Sequence, residues 1–461
     1  MNILMMTNTY LPHIGGVARS VSTLARGLIQ EGHQVLIIAP ETYEGKTPSS
    51  CPNDPAVIRV PALKRTVGSG FSVPVRIPRS VAEAIDEFQP DIIHAHQPFL
   101  LGVEALRFAA KRGVPTVFTF HTRYDFYGQY VSLGAPGLRR VIVSLARGYC
   151  NLCQEVIAPS ASARTHLREA GVKVPITVVP TGIDLEQYRQ GCGDRGRRRW
   201  HISKDAFVAG HVGRLAAEKN IGYLIEGLCR FLTERQDARA LIVGDGPMRP
   251  AMEDAFRLAG LADRVCFTGF LLGQDLATAY ASMDVFAFAS RSETQGLVLV
   301  EAMAAGVPVV ALEAAGTRET VRSGENGTLL APSASPEAFG RELQTYQAMS
   351  GECRSAMGDA ARKTAAAFSS DTMVRQTISL YEGVCASALQ RPKKSAAQFT
   401  VSQRLAFNIE ITATVLSCIA KALMPGRKRE QPGRPSGILV GSTPHQIDER
   451  EDAEPRFDPR H

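Results

Sequence analysis

Three groups of residues have types and spacings suited to chemistry on an anionic substrate. The first is Ser292-Glu293-Thr294-Gln295-Gly296-Leu297-Val298-Leu299-Val300-Glu301. Residues 284–290 before it read as a buried strand, and residues 297–305 read as a helix closed by Gly306. Strand, loop and helix in that order put unpaired helix N–H groups at the C-terminal edge of a parallel sheet, where anions and nucleotides bind. Gly296 lets a phosphate approach the backbone closely. Glu301 lies in an otherwise apolar helix, so it is expected to be buried, and a buried carboxylate without partners costs several kcal/mol. The helix itself offers no cation. A ribose diol would satisfy the carboxylate, and so would an Arg or Lys from far along the chain. The residues leave the two readings level.

The second group is Gly213-Arg214-Leu215-Ala216-Ala217-Glu218-Lys219-Asn220, after an apolar strand at 208–212. Its two cations, five apart, straddle a turn and the start of a helix and can neutralise a diphosphate from two sides. Solvated surface charges are the ordinary alternative. The third is His121 in Thr119-Phe120-His121-Thr122-Arg123-Tyr124-Asp125-Phe126-Tyr127, just past a strand end. A single His more often has a structural role. His94 and His96, one strand earlier, read as supporting residues. Gly15-Gly16 follows the first strand and is by itself a weak signal, often only a tight turn. Gly244-Asp245-Gly246-Pro247 and Phe267-Thr268-Gly269-Phe270 read as further strand-end turns.

There is no Asp-x-Asp motif and no His/Cys cluster with metal-ligand spacing, so no metal is required: Arg214, Lys219 and a helix dipole can meet the charge of a diphosphate. The nine cysteines are irregularly spaced, and Cys150-x-x-Cys153 has no second pair. They read as small buried side chains in a reducing compartment.

The elements that must position these groups follow a repeating order. Short apolar runs at 3–7, 35–39, 92–93, 117–118, 155–158 and 177–179 alternate with amphipathic stretches, which implies βαβ units and a parallel sheet. Residues 188–205, rich in Gly and Arg, read as an exposed linker. The alternation then restarts, with strands at 208–212, 240–243, 265–268, 285–289 and 307–312. The expected divisions are a domain over 1–187, a second over 206–370, a helix at 371–390 crossing back to the first, and an extension over 391–461. In that extension, 401–424 reads as a helix, followed by Arg427-Lys428-Arg429 and a polar tail.

The length, 461 residues, suits two or three domains, and 44% apolar with 21% charged residues is ordinary for a globular protein. A net charge of +7 is compatible with an anionic surface or a phosphorylated substrate. The sequence has neither a signal-like start nor an apolar run long enough to span a bilayer, so the expectation is a cytoplasmic protein with peripheral contact at the inner face of the cell membrane left open. Aromatic interleaving for RNA is absent, which argues against a nucleic-acid partner.

The run from Ser292 to Val310 resembles glycosyltransferase family 4, and Glu293 and Glu301 match the Glu-x7-Glu motif of retaining enzymes with the GT-B fold. The likeness covers about residues 1–385. It implies two facing Rossmann-like domains with the site in the cleft. It also implies Glu301 on the ribose, Glu293 by the donor sugar, and the amides of Gly296, Leu297 and Val298 on the diphosphate or sugar. Arg214 and Lys219 would contact the diphosphate and leaving oxygen, Gly15-Gly16 would form a loop near donor phosphate and acceptor, and His121 would be catalytic. The segment from His121 to Tyr127, and Glu293 to Val298, further resemble diacylglycerol glucosyltransferases, which makes UDP-glucose the expected donor and Tyr124, Asp125 and Tyr127 candidate acceptor contacts. Mixed cationic and apolar residues fit docking on anionic lipid, and equally an ordinary helix with a solvated basic face: Lys64, Arg65, Phe71, Val73, Arg76 and Arg79, then Leu138, Arg139, Arg140, Val141, Ile142 and Arg147. The alternatives are transfer to a soluble or polyprenyl-linked glycan, for example of mannose, and a non-catalytic sugar-nucleotide-binding protein.

Overall fold

Strands that are apolar on both faces belong in the middle of a parallel sheet covered by helices. The computed structural model builds two such sheets and describes residues 1–13, 15–41, 54–64, 72–74, 77–124 and 136–390. The first contains β1 (Asn2–Met6), β2 (Gln34–Pro40), β3 (Ala56–Val60), β6 (Ile92–Ala95), β7 (Thr116–Thr119), β8 (Glu155–Ala158) and β9 (Ile176–Val178), with β4 (Ala62–Lys64) and β5 (Ser72–Pro74) as a separate antiparallel pair. Its order is β3-β2-β1-β6-β7-β8-β9, every pairing parallel. Between the strands run α1 (Gly16–Gln30), α2 (Arg79–Phe88), α3 (Leu101–Arg112), α4 (Pro136–Leu152) and α5 (Ala161–Glu169). In α1, Val21, Leu24, Ala25 and Leu28 are buried, the spacing that keeps one helical stripe on the core.

Two short helices, α6 (Leu185–Arg189) and α7 (Gly193–Arg199), connect to the second sheet. The Gly/Arg stretch expected to be an exposed loop is therefore partly helical. Its glycines are there for close packing: a Cβ on Gly193 would lie 2.3 Å from the Ala281 carbonyl oxygen. Arg197 pairs with Asp284 at 2.7 Å and Arg199 with Asp275 at 2.6 Å, so these cations clamp the connector to the second domain.

The second sheet contains β10 (Phe207–Val212), β11 (Ala238–Val243), β12 (Val265–Gly269), β13 (Val285–Phe288), β14 (Val309–Leu312) and β15 (Gly327–Leu330), in the order β12-β11-β10-β13-β14-β15, again all parallel. Its helices are α8 (Ile221–Glu234), α9 (Arg249–Leu258), α10 (Gly273–Ala281), α11 (Leu297–Ala304), α12 (Pro336–Ala348) and α13 (Gly351–Ala365). Strand order reverses between β1 and β6 in one sheet and between β10 and β13 in the other. The carboxyl ends of those strands are where a doubly wound sheet binds ligands.

The last described helix, α14 (Ser370–Gln390), returns to the first domain. At the crossing the Ile183 N–H donates to the Phe368 carbonyl and the Ser370 N–H donates to the Ile183 carbonyl, and Met373, Val374, Leu380, Tyr381 and Val384 join the core formed by α1 and β1. Burial of side chains of the size of Val374 and Leu380 contributes about 1.5–3 kcal/mol each. Among the described residues no helix is long and apolar enough to cross a membrane. The expected helix at 401–424, the basic group after it and the tail lie outside the described residues.

Candidate active site

The ends of β10 and β13 bring together residues 74 apart in sequence. After β10 a short 3₁₀ turn, Ala217–Lys219, ends at Asn220, whose side-chain amide donates to the Ala289 carbonyl beyond β13. This directs Lys219 across the sheet edge, where its Nζ lies 2.5 Å from Glu293 Oε1. The Ser290 hydroxyl donates to the same oxygen at 2.9 Å. Burial opposes ionisation of Glu293, but the Lys219 ammonium and these hydrogen bonds outweigh it and hold the carboxyl below its usual range. Arg214 stands nearby, 3.9 Å from Glu218 Oε1. Two cations and two carboxylates thus share one strand-end ledge.

The helix expected after this loop is α11, and Gly296 precedes it with φ +76°, a left-handed conformation that disfavours any side chain. A Cβ there would also lie 2.9 Å from Leu299 Cδ1. The first-turn amides of Leu297 and Val298 have no partner earlier in the helix and remain available to an anion.

Glu301 has no exposed surface. Its Oε2 accepts a hydrogen bond from the Tyr280 hydroxyl at 2.7 Å, and its Oε1 lies 2.7 Å from Arg19 Nη2. Oε1 accepts no hydrogen bond there, so that contact is an ion pair with an unsatisfied lone pair. The same Arg19 nitrogen donates to the Tyr188 hydroxyl at 2.5 Å. Of the two level readings, the distant cation is the partner found here, and it comes from α1 of the other domain. A ribose reaches Glu301 only if Arg19 moves. Because Arg19 keeps 35% side-chain exposure, movement toward solvent is open to it.

The 293–296 loop also joins the domains. Gln295 exchanges hydrogen bonds with the Thr181 backbone at 2.7 and 2.9 Å, Ser160 donates to the Thr294 carbonyl at 2.6 Å, and the Thr294 hydroxyl donates to the His121 carbonyl at 3.1 Å. His121 is thereby held against the loop that carries Glu293. Its ring is half-buried, and burial pushes its pKa down to about 4, so it is neutral at pH 7. Its Nε2 lies 3.0 Å from His96 Nδ1. His94 is tied to Tyr381 and Thr119 at 2.6 and 2.7 Å.

Gly15, with an extended backbone, precedes α1, and Gly16 is its first residue. A side chain at Gly16 would meet open space, so neither the backbone nor local packing demands glycine there. Tyr124, an expected acceptor contact, is 6% exposed and packs edge-on to Phe99 and Phe120, 5.4 and 5.8 Å away. Its ring serves the core. Asp125 and Tyr127 lie outside the described residues, as do Arg65, Phe71 and Arg76 and the side chains of Lys64, Val73, Leu138, Arg139 and Val141. Arg79 and Arg140 are exposed, whereas Ile142 packs on the core. Arg19, Tyr188, Tyr280, Gln295 and Ser160 are site residues that sequence reasoning missed. Each is an ordinary polar residue whose partner is distant in the chain.

The sequence matches two families, described as Glycosyltransferase Family 4 over residues 14–187 and Glycosyl transferases group 1 over residues 206–347. An alpha-monoglucosyldiacylglycerol synthase of Acholeplasma laidlawii is 31% identical over 322 residues, 67% of this chain and 80% of that protein. A GDP-mannose-dependent alpha-mannosyltransferase of Mycolicibacterium smegmatis is 34% identical over 333 residues, 72% of this chain and 84% of that protein. Among solved structures, sucrose-phosphate synthase from Thermosynechococcus elongatus superposes with a TM-score of 0.69 at 21% identity, covering 84% of this chain and 99% of that one. HepE of Anabaena, in complex with UDP and glucose, gives 0.66 at 22%, covering 83% and 99%. These two likenesses establish the architecture as GT-B.

Proposed function

This chain belongs to glycosyltransferase family 4, and from that premise we propose that it moves glucose from UDP-glucose to a lipid acceptor such as diacylglycerol, with retention at the anomeric carbon. The observation that carries this reading is the Lys219–Glu293 contact at 2.5 Å, beside Arg214 and the start of α11. It supplies cations for a diphosphate and a carboxylate for the sugar on one ledge. In this reading the bond from C1 to the diphosphate oxygen breaks and a bond from C1 to the acceptor oxygen forms on the same face. The acceptor proton passes to the departing diphosphate. Lys219, Arg214 and the amides of Gly296, Leu297 and Val298 meet the charge that develops on the leaving group, so no metal is obligatory. Glu301 takes the ribose hydroxyls once Arg19 has withdrawn, and Gly15-Gly16 lets phosphate and acceptor approach α1.

The lipid acceptor draws support from the glucosyldiacylglycerol synthase relative and from exposed Arg79 and Arg140 on the first domain. It implies a peripheral protein at the cytoplasmic face of the membrane. The mannosyltransferase relative favours a second reading, GDP-mannose as donor. The test incubates the protein with UDP-glucose or GDP-mannose and vesicles containing diacylglycerol, with and without EDTA, and reads nucleoside diphosphate release and the anomer of the product. An α-glucolipid formed in EDTA is expected. A β-linked product removes retention, loss of activity in EDTA removes metal independence, and turnover only with GDP-mannose selects the second reading.

A further inference from the structure

The first domain contains a column of buried rings that the transfer reaction, as proposed, does not account for. It starts at α14, where Tyr381 contacts His94 Nδ1 at 2.6 Å, and His94 Nε2 is held by the Thr119 hydroxyl at 2.7 Å. The His94 ring, fixed at both nitrogens, lies 4.1 Å from the His96 ring, and His96 stacks at 5.3 Å on His121. His94 and His96 are 0% and 1% exposed, so only His121 reaches the cleft.

One contact between two imidazoles of this column is polar and unsymmetrical: His96 Nδ1 to His121 Nε2 at 3.0 Å. Between two neutral rings, one nitrogen donates and the other accepts. The far nitrogen of His96, Nε2, is buried and has no hydrogen-bond partner among the described residues. If His121 donated, the His96 proton would sit on that nitrogen, as a buried N–H with no acceptor. If His96 donates, Nε2 is a bare lone pair instead. Orphaned buried N–H groups are the rarer defect in proteins. Burial pushes both pKa values below the ordinary range, which removes a doubly protonated ring as a third case.

We propose that His96 is a positioning residue for glycosyl transfer: its Nδ1–H donates to His121 Nε2, fixes His121 as the Nδ1–H tautomer, and leaves that N–H as a hydrogen-bond donor at the cleft. His121 then binds an oxygen of the sugar or of the leaving group and does not take a proton from the acceptor. The proton of the acceptor goes to the departing diphosphate, as the balance of the reaction already requires. The assignment rests on the reading of His121 as a substrate-facing group.

The test is ¹⁵N NMR of the full-length protein labelled in histidine at pH 7.5, with His121 identified by its loss in His121→Asn. Expected is a proton-bearing Nδ1 and a bare Nε2 on His121. His96→Leu, which removes the donor at similar volume, is expected to mix the two tautomers and lower kcat about ten- to a hundredfold, with the donor KM within about twofold, since the ground-state donor contacts are untouched. His96→Asn, which keeps an N–H near the Nδ1 position, is expected to restore most of the rate. A His121 proton on Nε2 in the unmutated protein overturns the proposal, as does a His96→Leu protein with unchanged tautomer and kcat. Should His96→Leu fail to fold, the unmutated spectrum and His96→Asn still decide: a fall in kcat with His96→Asn as large as with His121→Asn counts against it. Full activity in His121→Ala removes the reading of the site, and the positioning role with it, whichever tautomer the spectrum shows.

Discussion

The two domains place different chemistry at the same point of the same fold. At the switch point of the second sheet stand charges, Arg214, Glu218, Lys219 and Glu293, arranged within one ledge. At the switch point of the first stand Gly15, Gly16 and three neutral imidazoles. A charged ledge suits a ligand whose charge changes during reaction, such as a leaving diphosphate. Neutral buried rings suit groups that must be aimed and stay unprotonated. The contrast implies that the second domain lowers the barrier by electrostatics and the first by orientation, and mutations can separate the two.

The largest effect is expected on the charged side. Lys219→Ala removes the cation opposite Glu293 and should lower kcat by about 10²–10³ with vesicles and donor saturating, the scale of deleting one charge-stabilising donor. A rise in KM with kcat unchanged would instead place Lys219 in ground-state binding. Next in size is an effect of acid, which should strike the first domain. Burial depresses His94 to about 3 and His121 to about 4, from an ordinary 6.5. The unfolded chain therefore binds more protons than the folded one between those values. The stability is fully present above about 6.5 and is lost as pH falls toward 4. The second domain has His211, depressed to about 4, as its counterpart. Hydrogen exchange at pH 7, 6 and 5 should show β6 and β7 losing protection before β13, and the reverse order would undo the contrast.

A third effect tests the contact that crosses between the regions. Glu301→Ala should weaken binding of a nucleoside diphosphate sugar by about 1–3 kcal/mol, the scale of hydrogen bonds to a charged group. Arg19→Leu should tighten it, because the donor no longer displaces an ion pair, while the protein without donor loses stability through a buried carboxylate left without its cation. Calorimetry distinguishes these. Weaker binding in both variants would mean that Arg19 itself holds the donor.

The same contrast governs what could be read from the sequence. The charged ledge is written in two short stretches, 213–220 and 292–301, because a strand end, a turn and a helix start are contiguous in a βα unit. The strands and helices were legible for the same reason. Glu301 was legible as a buried carboxylate, but its partner was not: Arg19 is one polar residue on an amphipathic helix, and only the closing of two domains gives it meaning. The ring column draws on positions 94, 96, 119, 121 and 381. His94 and His96 showed as supporting residues, yet no local pattern joins them to a tyrosine 287 residues away. Tyr124 misled because it shares a polar-aromatic stretch with His121 while its ring turns into the core. In the connector, composition marked a linker but not its two short helices, because glycine and arginine there serve close packing and ion pairs, features that composition alone does not reveal.

The smallest effect probes the far end of that column. Tyr381→Phe keeps the ring and its packing, so no cavity forms, and removes only the hydroxyl on His94 Nδ1. The site is fully buried, so no water replaces the lost partner, and the cost should be about 1–3 kcal/mol of stability in chemical denaturation. Burial raises the Tyr381 phenol, so it stays protonated at any working pH and the loss should not vary with pH between 6 and 9. Turnover should change less than about twofold, because His121 keeps its own hydrogen bond to His96. If instead kcat falls as far as in His96→Leu, orientation is transmitted through the 4.1 Å contact between the His94 and His96 rings. The C-terminal helix would then belong to the orienting machinery of the first domain as well as to its core.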